Sequence, residues 1–352
     1  MKSRLEKDGI LLKIIHGNEE GLEINKQDAG YLGWAIEIKN LHLPLGFLWQ
    51  PCMRHLKHAD LVIVEQASRY LLNYLLMFKR LFSSQKVAFL GHGLTLQKPK
   101  GSINNILKKL LIKNVDWWFA YTEDVAKFII RRGFPAEKIT AFQNTVDTRV
   151  LMEAKERIAK DSLDELKNKI GLGNGPIGIF CGGMYAEKRI EFLLEACQNI
   201  KRDFPGFEMI FLGGGPDSCL VKESSKKNNW IHYIGPCFAE EKVPYFMLAD
   251  IFLMPGLVGL AVLDSFVFEA PMITTDYPYH SPEIGYIKNG VNGIITRNDI
   301  ASYVTGVKEA IIDKVRLNKL KNGCRNSVAI YSLENMVDRF ADGILRCLNY
   351  ER

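Results

Sequence analysis

The sequence predicts an α/β protein made of two doubly wound, parallel-sheet halves. Three observations carry the prediction. Short, β-branched apolar runs recur between 177 and 296, each ending in Gly or Pro and leading into a helix-period pattern: IGIFCGGMYAEKRIEFLLEA, IFLGGGPDS, WIHYIGP, DIFLMPGLVGLAVLDSFVFEAPMITTD and SPEIGYIKNGVNGIIT. Strand–turn–helix repeats of this kind build parallel sheets, and ligands gather at the carboxyl ends of the strands. The first half alternates in the same way. Finally, 352 residues are long for one core and comfortable for two domains.

Taken in order, LLKIIHG (11–17) and AIEIKNL (35–41) read as strands. DLVIVEQ (60–66) is a third, followed by a helix through RYLLNYLLMFKRLF (69–82). KVAFLGH (86–92) is a strand leading to a helix through INNILKKLLIK (103–113), and WWFAYT (117–122) is another strand. Thr122 caps the next helix, with Glu123 and Asp124 in its first turn and Gly133 beyond its end. KITAFQN (138–144) closes this half. The charged, helix-prone stretch 148–176 ends in Gly and Pro, so the first domain is taken as 1–148 and the second as 149–332. A final helix pattern, LENMVDRFADGILRCL (333–348), is expected to complete the first domain through residue 352. The opening MKSRLEKDGILLKII reads as a helix end and then a strand, whereas a doubly wound half starts with strand, Gly-rich turn and helix. Either a first unit lies upstream or the strands pair differently; the first is favoured.

Composition narrows the function. The net charge of +6 suits an anionic ligand or membrane surface and is too weak to argue for nucleic acid. Seven scattered cysteines without a C-x-x-C pair read as reduced thiols of a cytoplasmic protein. No apolar run is long enough to span a bilayer, and MKSRLEKDG lacks the apolar core of a signal peptide. No His/Cys cluster has metal spacing, so neither a metal nor a cofactor is expected.

Two strand ends offer the groups a nucleotide diphosphate needs. After Cys181 the pair Gly182–Gly183 makes a turn, a helix is expected near Glu187, and Lys188 and Arg189 add charge beside its N–H groups. Alone, Lys188 and Arg189 read more readily as a solvated pair on a surface helix. After the next such strand, Gly256 to Gly259 forms a turn; Gly259 permits close backbone approach, and Asp264 on the following helix suits ribose hydroxyls. A merely solvent-facing Asp264 is disfavoured because its helix is otherwise apolar, and a buried Asp needs a partner. Gly214 lies in the glycine run of IFLGGGPDS. Ser281, Pro282 and Glu283 mark a helix start, with His280 and Glu283 beside the same site; Glu283 reads evenly as ligand or exposed cap neighbour.

On these residues the stretch 177–296 resembles the donor-binding half of the retaining family 4 glycosyltransferases of the GT-B fold. The likeness extends to FLGHG (89–93) and to YTEDVAKFIIRRGFPAEKITAFQNTVDT (121–148), with its Asn144-x-x-Asp147 turn. The resemblance implies two Rossmann-like domains facing a central cleft, an acceptor-side first domain and a donor-binding second. It implies that Lys188 binds the diphosphate, that Asp264 stands at the second Glu of the Glu-x7-Glu motif, and that the Gly259 and Leu260 backbone meets diphosphate and sugar. His92 matches the cleft histidine near the transferred sugar. The chain departs from the pattern where the first Glu falls at Gly256 and the Arg before the Lys falls at Gly183; Arg189 is a partial substitute.

The implied reaction is metal-independent transfer of a hexosyl group from a UDP- or GDP-type sugar to an acceptor hydroxyl, with retention. The leaving phosphate would take the acceptor proton, while Lys188 and Arg189 supply charge. The family suggests a saccharide or lipid-linked acceptor, a role in surface polysaccharide, lipopolysaccharide or glycolipid assembly, and a peripheral site at the inner membrane face. Helix 69–82 is oily and basic, which suits a membrane, but helices packed on a sheet explain it better. Two rivals stand beside this reading. A nucleotide-sugar epimerase or hydrolase would need acid/base carboxylates, for which Glu65 and Glu283 are the candidates; donor consumption without acceptor would reveal it. A non-catalytic nucleotide-binding relative is favoured by Gly256.

Overall fold

The computed structural model describes residues 1–18, 32–93 and 112–351. They form two units, Met1–Gln143 with Met336–Arg352, and Asn144–Asn335. The breaks lie a few residues before the predicted 148/149 and a few after the predicted 332/333.

In the first unit, β1 (Ile15–Asn18) pairs in parallel with β2 (Ile36–Lys39) as a separate two-stranded sheet. β3 (Leu41–His42) and β4 (Leu48–Trp49) form a short hairpin. The main sheet runs in chain order through β5 (Leu61–Glu65), β6 (Lys86–Gly91), β7 (Trp117–Ala120) and β8 (Ile139–Ala141), all parallel. Side chains alternate across a strand, and the core follows that rule. Val87, Phe89 and Trp118 join Leu72, Leu76, Val125 and Ile129 on one face. Ala88, Trp117 and Phe119 join Ala341, Ile344 and Cys347 of the last helix on the other. Both indoles are satisfied: Trp117 Nε1 donates to Thr140 Oγ1 at 2.9 Å and Trp118 Nε1 to the Ile112 carbonyl at 2.9 Å. The second predicted helix, 69–82, is regular over Leu71–Lys79 and tightens into a 3-10 turn at Arg80–Phe82. Most of the predicted helix at 103–113 lies outside the described residues. Thr122 caps Glu123–Arg131 as expected, its side chain accepting from the Val125 amide.

The second unit is a six-stranded parallel sheet: β9 (Ile177–Cys181), β10 (Glu208–Leu212), β11 (Ile231–Gly235), β12 (Ile251–Leu253), β13 (Met272–Thr275) and β14 (Gly293–Thr296). Their spatial order is β11-β10-β9-β12-β13-β14. Helices such as Ile190–Asp203, Ile300–Ile312 and Lys314–Ile330 cover the faces, so β9, β12 and β13 are buried along their whole length. The order reverses between β9 and β12. Strands on either side of that point send their helices to opposite faces, which opens a crevice beyond the carboxyl ends of β9 and β12. The charged stretch after residue 148 is two helices, Arg149–Arg157 and Lys160–Ile170, the second ended by left-handed Gly171.

Candidate active site

The crevice is lined by the loops that follow β9, β10, β12 and β13. After β9 the backbone is pinned against the loop after β10: the Gly182 amide donates to the Leu212 carbonyl at 3.0 Å, and the Met184 amide to the Gly214 carbonyl at 2.7 Å. Gly213 must be glycine, since its φ is +134° and a Cβ there would lie 1.9 Å from the Gly182 carbonyl oxygen. Gly182, Gly183 and Gly214 therefore form one closely packed backbone floor.

Lys188 ends the 3-10 turn Ala186–Lys188, one residue after the predicted helix start; the helix itself begins at Ile190. Its side chain is buried, with 6% of the residue exposed. Nζ donates to the Leu257 carbonyl at 2.5 Å and to Met254 Sδ at 3.6 Å, and lies 5.8 Å from the Tyr185 ring centroid. Among the described residues no carboxylate lies within ion-pairing distance of it. Burial lowers its pKa to about 8, so it remains charged at pH 7 while lacking a counter-ion. Such a group is a ready anion site.

Arg189 caps the helix in the left-handed region, φ 58°. Its Nη1 donates to the Pro255 carbonyl at 3.4 Å and to Asn298 Oδ1, and its guanidinium lies 4.1 Å from the Phe192 ring centroid and 5.5 Å from that of Tyr277. The predicted pair thus separates: Lys188 reaches Leu257 and Arg189 reaches Pro255 and Asn298. The left-handed turn between them points the two side chains to different partners, so Arg189 braces the loop after β12.

That loop is held from several sides. The Leu257 amide donates to the Glu187 carbonyl at 2.8 Å, and Thr275 Oγ1 donates to the Pro255 carbonyl at 2.7 Å. The Val258 amide donates to His280 Nδ1 at 3.0 Å, and His280 Nε2 donates to the Thr275 carbonyl at 2.8 Å. The ring is therefore a neutral Nε2–H tautomer, and burial lowers its pKa. Among the described residues, the Gly259 and Leu260 amides have no protein acceptor. A Cβ added at Gly259 would meet only Ser281, in ordinary contact at 3.6 Å. Gly256 is the opposite case. A Cβ there would lie 2.2 Å from the Glu187 carbonyl oxygen, so no side chain, Glu included, fits.

Two expectations change in the structure. Asp264, on the helix Val262–Val267, is already ion-paired: Lys242 Nζ donates to both of its oxygens, at 2.7 and 2.8 Å. Burial raises the Asp264 pKa and Lys242 opposes that rise. Glu283 is neither exposed nor a free ligand. It is buried in the 3-10 turn Pro282–Tyr286, and its Oε1 accepts from Asn144 Nδ2 at 2.8 Å. Tyr286 Oη also donates to the Asn144 carbonyl at 2.8 Å, so Glu283 anchors the start of this unit. Ser281 precedes that turn without a side-chain cap bond.

His92 belongs to the other unit, at the end of β6, where it is exposed and its ring centroid lies 5.1 Å from that of Tyr121, edge to face. The Gly93 carbonyl accepts from Gln66 Nε2 at 2.9 Å, which stiffens the loop carrying it. Lys242 was not foreseen: it sits in the polar AEEK turn, and only the fold brings it to Asp264 across 22 positions. The cysteines are free thiols, mostly buried; burial pushes Cys181 up to about 12. Among the described residues no group of three His, Cys, Asp or Glu could hold a metal ion.

The parallel sheets and the ligand-ready crevice define the class: an α/β protein of the GT-B glycosyltransferase fold, with Rossmann-like halves. Within it, residues 175–313 of the second unit match the family described as Glycosyl transferases group 1. The fold is similar to that of Anabaena HepE, solved with UDP (TM-score 0.65, 13% identity, covering 83% of this chain and 80% of that one). It is also similar to sucrose-phosphate synthase from Thermosynechococcus elongatus (TM-score 0.67, 13% identity, 97% and 90% covered). A third likeness is to the lipopolysaccharide outer core galactosyltransferase WaaB (TM-score 0.59, 15% identity, 83% and 77% covered). No curated protein matches the sequence significantly.

Proposed function

We propose that the chain transfers a hexosyl group from a UDP- or GDP-type sugar to a hydroxyl of a saccharide or lipid-linked saccharide, retaining anomeric configuration and using no metal. The observation that carries this reading is Lys188, a buried ammonium without a carboxylate, beside the Gly259 and Leu260 amides. Together they would neutralise a diphosphate as it leaves. The bond from the anomeric carbon to the phosphate oxygen breaks, the acceptor oxygen attacks on the same face, and the leaving phosphate takes its proton. Gly182, Gly183 and Gly214 form the floor of the donor site, and Arg189 and His280 brace its wall. UDP is the first nucleotide to test, because HepE binds it. The likeness to WaaB favours a role in surface polysaccharide, lipopolysaccharide or glycolipid assembly at the inner membrane face.

A second reading, a nucleotide-binding relative without transfer, is favoured by Gly256, where the Glu of the related motif has no room. An epimerase is disfavoured because Glu283 is engaged by Asn144. Melting temperature with UDP, GDP and ADP tests the donor site. A rise with one nucleotide, followed by acceptor-dependent consumption of the matching sugar donor and an NMR assignment of the product anomer, is expected. No rise with any nucleotide in a folded sample would defeat both nucleotide-based readings.

A further inference from the structure

Lys242 stands at the crevice although its loop, after β11, is not one of those that line it. It ends the 3-10 turn Ala239–Lys242. That turn is locked on its own: Ala239 takes a left-handed φ of 44°, and the Phe238 amide donates to Glu241 Oε2 at 2.9 Å. The helix Val243–Leu248 that follows buries Val243 and Phe246. The Phe246 ring stacks on that of Phe268, one residue beyond the helix carrying Asp264, with 4.8 Å between centroids. Two packed elements thus bring the ammonium to the carboxylate. Nζ donates to both Asp264 oxygens, the arrangement of an ionised carboxyl, and both side chains keep an edge exposed, 17% and 12%. Among the described residues neither group has another side-chain partner. The Cys181 thiol, at the end of β9, feels the charges of Asp264, Lys242 and Lys188, so the pair and the buried Lys188 ammonium lie near one strand end.

Two of the three Nζ protons are engaged by Asp264, and each carboxylate oxygen keeps a further lone pair. The pair therefore offers one donor and two acceptors side by side. A phosphate or carboxylate ligand would meet the Asp264 charge, and an ammonium would meet Lys242. Vicinal hydroxyls, which both donate and accept, match both partners. We propose that Lys242 is a positioning residue of the donor site: it holds Asp264 ionised, with its oxygens fixed, so that the pair reads the ribose diol of the nucleotide. This inference rests on the donor-site reading. Burial favours the protonated form of Asp264, and Lys242 opposes it, so removing Lys242 lets the carboxyl take up a proton. A protonated carboxyl loses an acceptor and the charge that strengthens the other. Of the groups near Asp264, Cys181 and Cys237 are raised by burial and stay neutral around pH 7, whereas Lys188 titrates at about 8.

Titration calorimetry compares UDP with 2′,3′-dideoxy-UDP on the wild type, Lys242→Gln, Lys242→Arg and Asp264→Asn at several pH values from 6 to 9. GDP or ADP, with its dideoxy counterpart, takes the place of UDP if that is the nucleotide bound. The wild type is expected to prefer UDP by about tenfold or more, the worth of a hydroxyl on a charged partner. Lys242→Gln loses that preference at pH 6 and regains part of it as the pH rises and Asp264 ionises; Lys242→Arg keeps it throughout. Reading each protein as a ratio of the two nucleotides cancels the titration of Lys188. Asp264→Asn, whose neutral amide imitates the protonated carboxyl, loses the preference at every pH and decides the matter if Lys242→Gln does not fold. A purely structural ion pair would move the melting temperature and leave the ratio unchanged. Equal binding of the two nucleotides by the wild type would overturn the proposal, as would a preference kept by Lys242→Gln or Asp264→Asn, or one that stays lost in Lys242→Gln at every pH. Binding of no nucleotide at all would remove the donor-site reading as well. UDP binding that Lys188→Met abolishes, without discrimination against the dideoxy form, would overturn this inference alone.

Discussion

Replacing Lys188 with Met separates stability from ligand binding. The ammonium's pKa falls from 10.5 to about 8 because it is buried. At ~1.4 kcal/mol per pH unit, carrying that charge in the folded state costs about 3 kcal/mol at neutral pH. The sign follows from the lowered value. The cost is full below pH 8 and fades as the pH climbs towards 10.5, so ligand-free stability rises across that window. Met keeps the aliphatic volume and removes the charge, but leaves the Leu257 carbonyl without its donor, a loss of about 1–3 kcal/mol. The ligand-free variant should therefore equal the wild type or exceed it by up to about 2 kcal/mol, a few degrees of melting temperature at ~2–4 °C per kcal/mol. UDP at about 100 times its Kd adds ~2.7 kcal/mol to the wild type and nothing to the variant. The assay is a thermal melt with and without nucleotide at pH 7 and pH 10. A variant several degrees less stable that keeps the full UDP shift would refute the reasoning, because Lys188 would then be a structural cation.

Three further outcomes are expected. Lys242→Met leaves Asp264 buried and unpaired, costing about 3–5 kcal/mol, and adding Asp264→Leu recovers most of that in a urea titration; additive losses would show that the pair is not coupled. Gly256→Ala drives a Cβ into the Glu187 carbonyl and costs ~2 kcal/mol or more with loss of the nucleotide shift, whereas Gly259→Ala, whose Cβ meets Ser281 at ordinary contact distance, stays within ~1 kcal/mol; equal melting temperatures would contradict the packing. His280 is held neutral by burial, so the stability it contributes is present above pH 6.5 and is lost as the pH falls below; His280→Leu flattens that slope in pH-dependent melts and lowers stability at pH 7.5 by about 1–2 kcal/mol, and an unchanged slope would clear His280 of the role.

Much of the fold was legible because it is written between near neighbours. Short apolar, β-branched runs marked β5, β6, β7 and the strands of the second unit, and Thr122 announced its helix with the hydroxyl that caps it. The glycines after Cys181 and the lysine three residues before Glu191 were visible for the same reason: turns and helix starts depend on a handful of consecutive residues. The sequence by itself thus determined the α/β class, the strand-end position of the candidate site and the identity of Lys188. The side-chain partners came from elsewhere. Arg189 turned away from the predicted anion because its own backbone is left-handed, Asp264 was taken by Lys242, Glu283 by Asn144, and Gly256 proved to be closed by the backbone of residue 187. The contacts of Arg189 with Pro255 and of Gly256 with residue 187 join the loops after β9 and β12, which the reversal of order sets side by side, and the other pairings join still more distant segments. Local periodicity carries no record of that reversal, so contacts across 22 to 139 positions emerge only once the sheet is assembled.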